Sequence, residues 1–155
     1  MGYIDELRTR VGGRPLLIPG GRAVVVDDGG LLLHRRSDLG RWDLPGGGAE
    51  VGESQADAVL RELTEESGLI ATDWIAFGLG SDPRRETVIY PNGDVVQGFA
   101  LALLIRKWTG ELRTSSESHE LRFFARRDLP PLPEPIRATL AAYDRWLEHG
   151  EFQLF

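Results

Sequence analysis

The segment from Ser54 to Ser67 constrains the fold more than any other, because it carries an uninterrupted helical pattern. Four apolar residues recur there at the i, i+3, i+4, i+7 spacing of one buried stripe: Ala56, Val59, Leu60 and Leu63. Gly68 follows, and glycine commonly ends a helix in the left-handed conformation. The pattern predicts an amphipathic helix with one face against the rest of the protein.

The same segment carries three carboxylates, Glu62, Glu65 and Glu66, at positions i, i+3 and i+4. Like charges at this spacing cost about 0.2–0.5 kcal/mol per pair in an isolated helix, so something should compensate for them. One interpretation is a solvated acidic face, which is the usual place for blocks of charge. The other is a hard divalent cation between the carboxylates, since Mg²⁺ prefers oxygen ligands. The helix alone leaves both open.

The residues around this helix decide between the two interpretations. Gly47 is followed by five residues, Glu53, seven residues and the run Arg61-Glu62-Leu63-Thr64-Glu65-Glu66-Ser67-Gly68-Leu69. This spacing resembles the Nudix box, the signature of the Nudix hydrolase superfamily, at every defined position. The resemblance extends from about Leu16 to Leu132, and four further segments carry it: Leu33 to Arg36, Trp42 to Gly47, Glu120 to Phe124, and Asp128 to Pro130.

The resemblance implies a reaction and a set of roles. We expect a pyrophosphohydrolase that uses Mg²⁺ or Mn²⁺ to cleave the diphosphate linkage of a nucleoside diphosphate derivative or nucleoside triphosphate, releasing a nucleoside monophosphate. Glu62 and Glu66 would be the main metal ligands, with Glu65 as a further carboxylate, and Arg61 would orient the acidic group. The expected catalytic set is Glu66, Glu65, Arg61 and Glu117.

Glu53 and the glycines before it support this site. Glu53 precedes the helix start at Ser54, where a negative charge suits the positive end of the helix dipole. Glycines at positions 46 to 48 let the loop pass close to neighbouring backbone, which a side chain would block. We therefore expect Gly46 and Gly47 to border the substrate.

A further carboxylate is expected from the polar stretch between Ser115 and Glu120. Glu117 is the preferred residue, because it precedes a strand on a segment able to bend over the site. Glu120 is the alternative and Glu66 a third choice for the general base, while His119 is expected to be exposed. A solvated loop acid is an equally weighted interpretation of Glu117.

Substrate contacts are less constrained. Arg35 and Arg36 end a strand and point to opposite faces, so only one of them faces the cleft, and similarity favours Arg36 as a phosphate contact. Tyr90 and Phe99 could stack on a base, although strand aromatics are more often core. The sequence does not choose between ADP-ribose, a nucleotide sugar, a dinucleoside polyphosphate or a modified triphosphate.

The order of the remaining elements predicts an α+β protein with a mixed β-sheet sandwiched between helices, in a single domain spanning 1–155, and the resemblance implies that this is the Nudix fold. Residues 1–14 form an N-terminal helical extension and 134–149 a C-terminal helix. Turn residues at Pro19-Gly20-Gly21 and at Asp27 to Gly30 separate the first strands, and Pro91 to Asp94 form a hairpin turn. Seven apolar runs predict strands: Leu16 to Ile18, Ala23 to Val26, Leu31 to His34, Trp74 to Leu79, Glu86 to Tyr90, Val95 to Lys107 and Leu121 to Ala125.

Composition limits the partners. The 155 residues carry a net charge of −6, which argues against a nucleic acid polymer and leaves a small phosphorylated ligand. The chain has no cysteine and only three histidines, so a metal is expected on oxygen ligands. No apolar run approaches the roughly 20 residues that cross a bilayer, and the first residues do not resemble a signal peptide. We expect a cytoplasmic protein without a membrane partner; a homodimer is left open.

Two other functions are compatible with the same fold. Isoprenoid-diphosphate isomerases that resemble this chain depend on a catalytic cysteine, which is absent here. Nudix-like sensors bind nucleotides without hydrolysing them and usually lack carboxylates of the box. All of those carboxylates are present in this sequence, so hydrolysis is the favoured interpretation.

Overall fold

The computed structural model of the chain describes residues 2–155 as a mixed β-sheet with helices on both faces. In chain order the elements are α1 (Tyr3–Val11), β1 (Leu16–Asp27), β2 (Gly30–Arg36), β3 (Trp42–Asp43), β4 (Gly46–Gly48), α2 (Gln55–Ser67), β5 (Leu69–Gly80), α3 (Pro83–Glu86), β6 (Thr87–Ile89), β7 (Val95–Gly110), β8 (Ser118–Phe124), α4 (Glu134–His149) and β9 (Gln153–Leu154). The α+β prediction is confirmed.

Strand order explains why distant segments meet. The main path is β3-β2-β1-β7-β5-β9, while β4 pairs with β1, β6 with β7 and β8 with β2. β1 runs parallel to β7, and β5 runs antiparallel to β7. As a result β4, which leads into α2, and β8, which follows Glu117, both lie near the centre of the sheet.

Two apolar clusters fill the two faces of the sheet. Val59 and Leu63 of α2 pack with Ala23 and Val25 on one face. Ile136 of α4 packs with Val24 on the other. The alternation of side chains along β1 produces this division, because successive residues of a strand point to opposite faces.

The ends of α2 follow its sequence signals. The Ser54 hydroxyl accepts a hydrogen bond of 3.1 Å from the backbone N–H of Asp57, which satisfies one of the free donors of the first turn. Gly68 has φ 78°, a left-handed conformation that closes the helix. Both predicted boundaries of this helix are confirmed to within a residue.

The predicted break at Pro19-Gly20-Gly21 is wrong, because β1 continues through it. The Pro19 carbonyl accepts from Ala49 N–H at 2.9 Å, so this residue directs its backbone groups away from β7 and its missing N–H costs no bond there. A Cβ on Gly20 would lie 2.2 Å from the Gly47 carbonyl oxygen, and one on Gly21 would lie 2.4 Å from Cγ2 of Val59. These glycines permit close packing rather than a turn.

Smaller differences follow from capping. Residues 83–86 form one helical turn that Asp82 caps, so the predicted strand from Glu86 shortens to β6. The turn at 91–94 is confirmed, since Ile89 pairs with Val95 across it. None of the helices in residues 2–155 combines the length and apolarity that a membrane crossing requires.

Candidate active site

The loop before α2 is pressed against the helix by strand pairing. Gly46 to Gly48 form β4 and pair antiparallel with Gly20 to Arg22 of β1. A Cβ on Gly47 would lie 2.5 Å from Oε1 of Glu62, a distance that no real Cβ tolerates. The loop therefore sits directly over the carboxylates of α2, and a glycine is required at 47 for this approach.

Three carboxylates converge beside this loop. Glu62, Glu66 and Glu117 each place one oxygen so that all three oxygens lie within 4.8 Å of one another. The Gly46 N–H donates to Oε2 of Glu66 at 2.8 Å and fixes its orientation. Two of the three come from α2, and the third comes from the segment before β8.

The structure places Glu65 outside this cluster. Its side chain is 58% exposed and accepts from Nη1 of Arg61 at 3.1 Å. The cause is helical geometry: Glu62 and Glu66 are separated by about 40° around the axis, whereas Glu65 is about 100° from Glu66 and about 40° from Arg61. Glu65 was expected to add a further carboxylate to Glu62 and Glu66, and the structure pairs it with Arg61 instead.

Arg61 and Glu53 form the frame behind the cluster. Nε and Nη2 of Arg61 donate to the two oxygens of Glu53 at 2.7 and 3.0 Å, a bidentate pair. Nη2 also donates to the Gly48 carbonyl at 3.1 Å, and Nη1 donates to Glu62 at 2.9 Å. The Arg61 hydrogen bonds hold the pKa of Glu53 down to about 2. Arg61 thus joins the loop, Glu53 and Glu62 into one unit.

Burial makes the cluster a poor place for uncompensated negative charge. Glu66 is 5% exposed, and burial raises its pKa to about 8, with the Gly46 N–H opposing and the charge of Glu62 adding to the rise. Burial also raises the pKa of Glu62. Close carboxylates that resist ionisation together are the donor set that a hard divalent cation stabilises. The residues present therefore fit Mg²⁺ or Mn²⁺.

Glu117 directly precedes β8, and its backbone is bonded to the segment that follows β2. Ser37 N–H donates to the Glu117 carbonyl at 3.0 Å, and the exposed Glu117 side chain reaches the cluster. Glu120 pairs across from Arg35, lies outside the cluster and is exposed, as is His119. The structure therefore brings together Glu117, and not Glu120, with the carboxylates of α2.

Three buried or half-buried residues near the cluster were not predicted from the sequence: His34, Arg41 and Asp43. His34 is 1% exposed; its Nδ1 lies 2.6 Å from Oγ of Ser118 and 3.8 Å from Oε1 of Glu66. Burial lowers the pKa of His34 to about 4, so it is neutral near pH 7. Asp43 is buried, with Arg36 and Arg41 at 3.9 and 3.8 Å.

The signal for these residues was weak. His34 and Asp43 face each other only because β2 pairs with β3, and Arg41 stands in a turn. Nε of Arg41 is buried without a hydrogen-bond partner among residues 2–155. Burial raises the pKa of Asp43, while the neighbouring arginines oppose that rise.

A cavity of about 550 Å³ opens beside the cluster. Its lining includes five residues expected to meet substrate: Arg36, Gly46, Gly47, Tyr90 and Phe99. Arg36 is held by Asp38 through bonds of 3.0 and 2.7 Å, with its guanidinium facing the cavity wall. Trp42 packs edge-on against Phe124, with the ring centroids 4.8 Å apart.

The cavity also contains a paired arginine on its inner side. Arg22 of β1 donates to Glu86 at 2.9 and 2.6 Å and to Thr139 of α4 at 3.2 Å. The Glu86 side chain is 1% exposed and that of Arg22 is 16% exposed. This buried ion pair joins β1, α3 and α4 within the cavity lining.

Comparisons with known proteins agree with this geometry. The family model for the NUDIX domain matches residues 18–147. An ADP-ribose pyrophosphatase of Methanocaldococcus jannaschii is 32% identical over 79% of this chain and 70% of its own length. An RNA pyrophosphohydrolase of Acidiphilium cryptum is 30% identical over 81% of this chain and 84% of its own. The crystal structure of a MutT NUDIX hydrolase from Burkholderia pseudomallei superposes with a TM-score of 0.66, at 30% identity, over 83% of this chain and 98% of that one.

Proposed function

The chain belongs to the Nudix hydrolase family, and we propose that it is a Mg²⁺- or Mn²⁺-dependent pyrophosphohydrolase acting on a small nucleoside diphosphate derivative or nucleoside triphosphate. The observation that carries the proposal is the convergence of Glu62, Glu66 and Glu117 within 4.8 Å at the mouth of a cavity large enough for such a substrate.

The three carboxylates of the cluster would hold the cation. When bound, the cation would neutralise charge on the phosphoryl oxygens and lower the pKa of a coordinated water. Glu62 is oriented for this role by Arg61, and Glu66 by the Gly46 N–H. Because both orienting groups are fixed by the fold, the carboxylates need little rearrangement.

Glu117 is the preferred general base. It is exposed, so its carboxylate can exchange protons with solvent between turnovers. The Glu117 carboxylate would take a proton from the attacking water as the water oxygen bonds to phosphorus. The bridging P–O bond then breaks, and its oxygen leaves with the second phosphorylated product.

Arginines would receive the phosphates. Arg36 and Arg41 line the cavity on the side of Asp43, and Arg36 is braced by Asp38. Braced guanidinium groups bind phosphate oxygens with fixed donor geometry. Tyr90 and Phe99 line the remainder of the cavity, where an organic group beyond the diphosphate would lie.

The test is a hydrolysis panel with Mg²⁺, Mn²⁺ or EDTA at mildly alkaline pH, using ADP-ribose, nucleotide sugars, dinucleoside polyphosphates and nucleoside triphosphates. We expect at least one substrate to yield a nucleoside monophosphate with metal and none with EDTA. Glu66→Gln should lose about a thousandfold in kcat. Glu65→Gln removes the same charge from the same helix outside the cluster and should stay within about tenfold. No turnover with either metal would refute the proposal.

A further inference from the structure

Helix α1 forms one wall of the cavity although it lies outside the region that the family model matches. Gly2, Ile4, Asp5 and Arg8 belong to the cavity lining. No residue of α1 itself is buried. The helix is therefore held in place mainly by polar contacts at its two ends rather than by a core of its own.

One end of α1 is fixed to the loop that precedes α2. The Tyr3 N–H donates to Oε2 of Glu50 at 2.9 Å. Glu50 in turn donates its N–H to Glu53 at 2.9 Å, the residue that braces Arg61. Ile4 lies over Gly48, where an added Cβ would come within 2.9 Å of its Cδ1. The first turn of α1 thus packs against the loop that leads into α2.

The other end of α1 is fixed to the hairpin between β6 and β7. Nη2 of Arg8 donates to the Val95 carbonyl at 3.0 Å, and Nε lies 3.4 Å from Oδ2 of Asp94. Nη1 donates to the carbonyls of Gly12 and Arg14 at 3.0 and 2.6 Å. These contacts use four of the five N–H groups of the guanidinium, so Arg8 mainly positions the wall.

The side chains along this wall are mainly acidic. Arg8 is paired with Asp94, while Asp5 and Glu50 add negative charge to the lining. Arg36 and Arg41 supply cations elsewhere in the lining. A diphosphate substrate is therefore oriented with its phosphates toward the arginines and its uncharged end toward α1. A chain of further phosphates would have to leave across an acidic wall.

On the premise of the proposed hydrolase function, we infer that α1, clasped by Arg8, is a specificity-determining wall. It confines the uncharged end of a small nucleoside diphosphate substrate and excludes a substrate that continues as a nucleic acid polymer. Arg8 is a positioning residue in this arrangement. The wall acts on substrate binding, and the carboxylate cluster acts on the chemical step.

The test compares Arg8→Ala with Arg10→Ala. Arg10 lies on the same helix and, among residues 2–155, pairs only with the exposed Glu6, so it is a matched control. The probes are ADP-ribose, CTP and a short 5′-triphosphorylated RNA, with kcat and KM measured separately. Arg8→Lys retains the charge near Asp94 but lacks the fork that reaches several carbonyls. Deletion of residues 2–12 is the second way to remove the wall.

We expect Arg8→Ala to raise KM for the small substrates about tenfold with kcat within about twofold, because it removes binding common to ground and transition states. The ratio of kcat/KM for RNA to that for the small substrates should rise in Arg8→Ala and in the deletion, and Arg8→Lys should fall between. Melting temperatures should stay within a few degrees of the parent, since α1 buries none of its residues.

The results that would contradict this inference can be distinguished from those that would contradict the proposed function. If Arg8→Ala and the deletion match Arg10→Ala in KM and in the RNA ratio, the inference is overturned while the proposed function stands. Equal loss of kcat on every substrate would also overturn it, by assigning α1 to the chemical step. A parent protein inactive on all three probes would overturn the proposed function, and this inference with it.

Discussion

Substituting Gly47 by alanine tests whether the position of Glu62 controls catalysis. The φ of Gly47 is not in the positive range, so its backbone conformation accepts alanine. The added Cβ would lie 2.5 Å from Oε1 and 2.6 Å from the carboxyl carbon of Glu62. Contact at an ordinary distance of about 3.4 Å requires the Glu62 carboxylate to move by about 1 Å.

The magnitudes separate stability from activity. Moving Glu62 weakens its ion pair with Arg61; the Glu62 side chain is 14% exposed and that of Arg61 is 29% exposed. Partly exposed ion pairs contribute about 1 kcal/mol or less to stability, or roughly 2–4 °C in melting temperature. A displacement of about 1 Å at a reacting centre can cost about a hundredfold in rate. We expect Gly47→Ala to fold normally and lose about a hundredfold in kcat.

The metal response gives a second readout. At a Mg²⁺ concentration of 100 Kd, binding stabilises the native state by about 2.7 kcal/mol, and a hundredfold weaker Kd would reduce this to about 0.4 kcal/mol. Melts of parent and Gly47→Ala with and without Mg²⁺ measure the difference. Gly13→Ala is the control, because its Cβ would meet only Oδ1 of Asp94, at 3.8 Å. A variant with kcat within about threefold of the parent and an unchanged Mg²⁺ response would refute the argument.

Three further predictions address other parts of the site. Glu117→Gln should lower kcat by about a hundredfold or more, because it removes the proposed general base. The melting temperature should not change, because the Glu117 side chain is exposed. Activity assays and thermal melts check this, and a kcat within twofold of the parent would assign the base elsewhere. Arg22→Met should leave Glu86 buried without its partner, lowering the free energy of unfolding by about 3–5 kcal/mol and the melting temperature by roughly 6–20 °C. The double variant Arg22→Met with Glu86→Leu should recover most of this loss. If the single variant melts at the temperature of the parent, the prediction is wrong. Burial raises the Glu66 pKa from 4.5 to about 8, so the folded metal-free protein holds a proton that the unfolded chain has released. Stability from this group is therefore present below pH 4.5 and lost as pH rises to about 8, and Mg²⁺, which must displace that proton, should raise the melting temperature more at pH 8 than at pH 6; a Mg²⁺ effect independent of pH would disprove this.

Local sequence patterns predicted the elements that carry the chemistry. The stripe of Ala56, Val59 and Leu63, with Ser54 and Gly68 at the ends, specifies α2 through propensity and capping alone, which act within a few residues. The order of the elements predicted the α+β class, whereas the Nudix fold and the convergence of Glu117 with the α2 carboxylates came from the resemblance to a family. Spacing along the chain does not by itself bring residue 117 to residue 66.

Side-chain roles that depend on long-range packing were harder to predict. Gly20 and Gly21 look like a turn because glycine is common in turns, but their neighbours Gly47 and Val59 lie far away in sequence. Asp43 becomes buried only when β3 pairs with β2, and nothing in the residues around it indicates that burial. Around the helix axis Glu65 lies about 100° from Glu66 but only about 60° from Glu62, so the helical angle separates it from Glu66 and not from Glu62.

Gly20, Gly46 and Gly47 share one structural role. Each removes a side chain where a backbone or a carboxylate must come within about 2.5 Å of the place a Cβ would occupy: Gly20 at the Gly47 carbonyl, Gly46 at the Gly21 carbonyl and Gly47 at Glu62. The same contact surface positions the Gly46 N–H that donates to Glu66. Close packing of β1 on β4 therefore sets both the orientation of the carboxylates of the candidate metal site and the proximity of the loop to the cavity. A substitution that stabilises β1 or β4 without changing these contacts should leave the carboxylate geometry intact, whereas any side chain placed between them must displace a group on which the proposed chemistry depends.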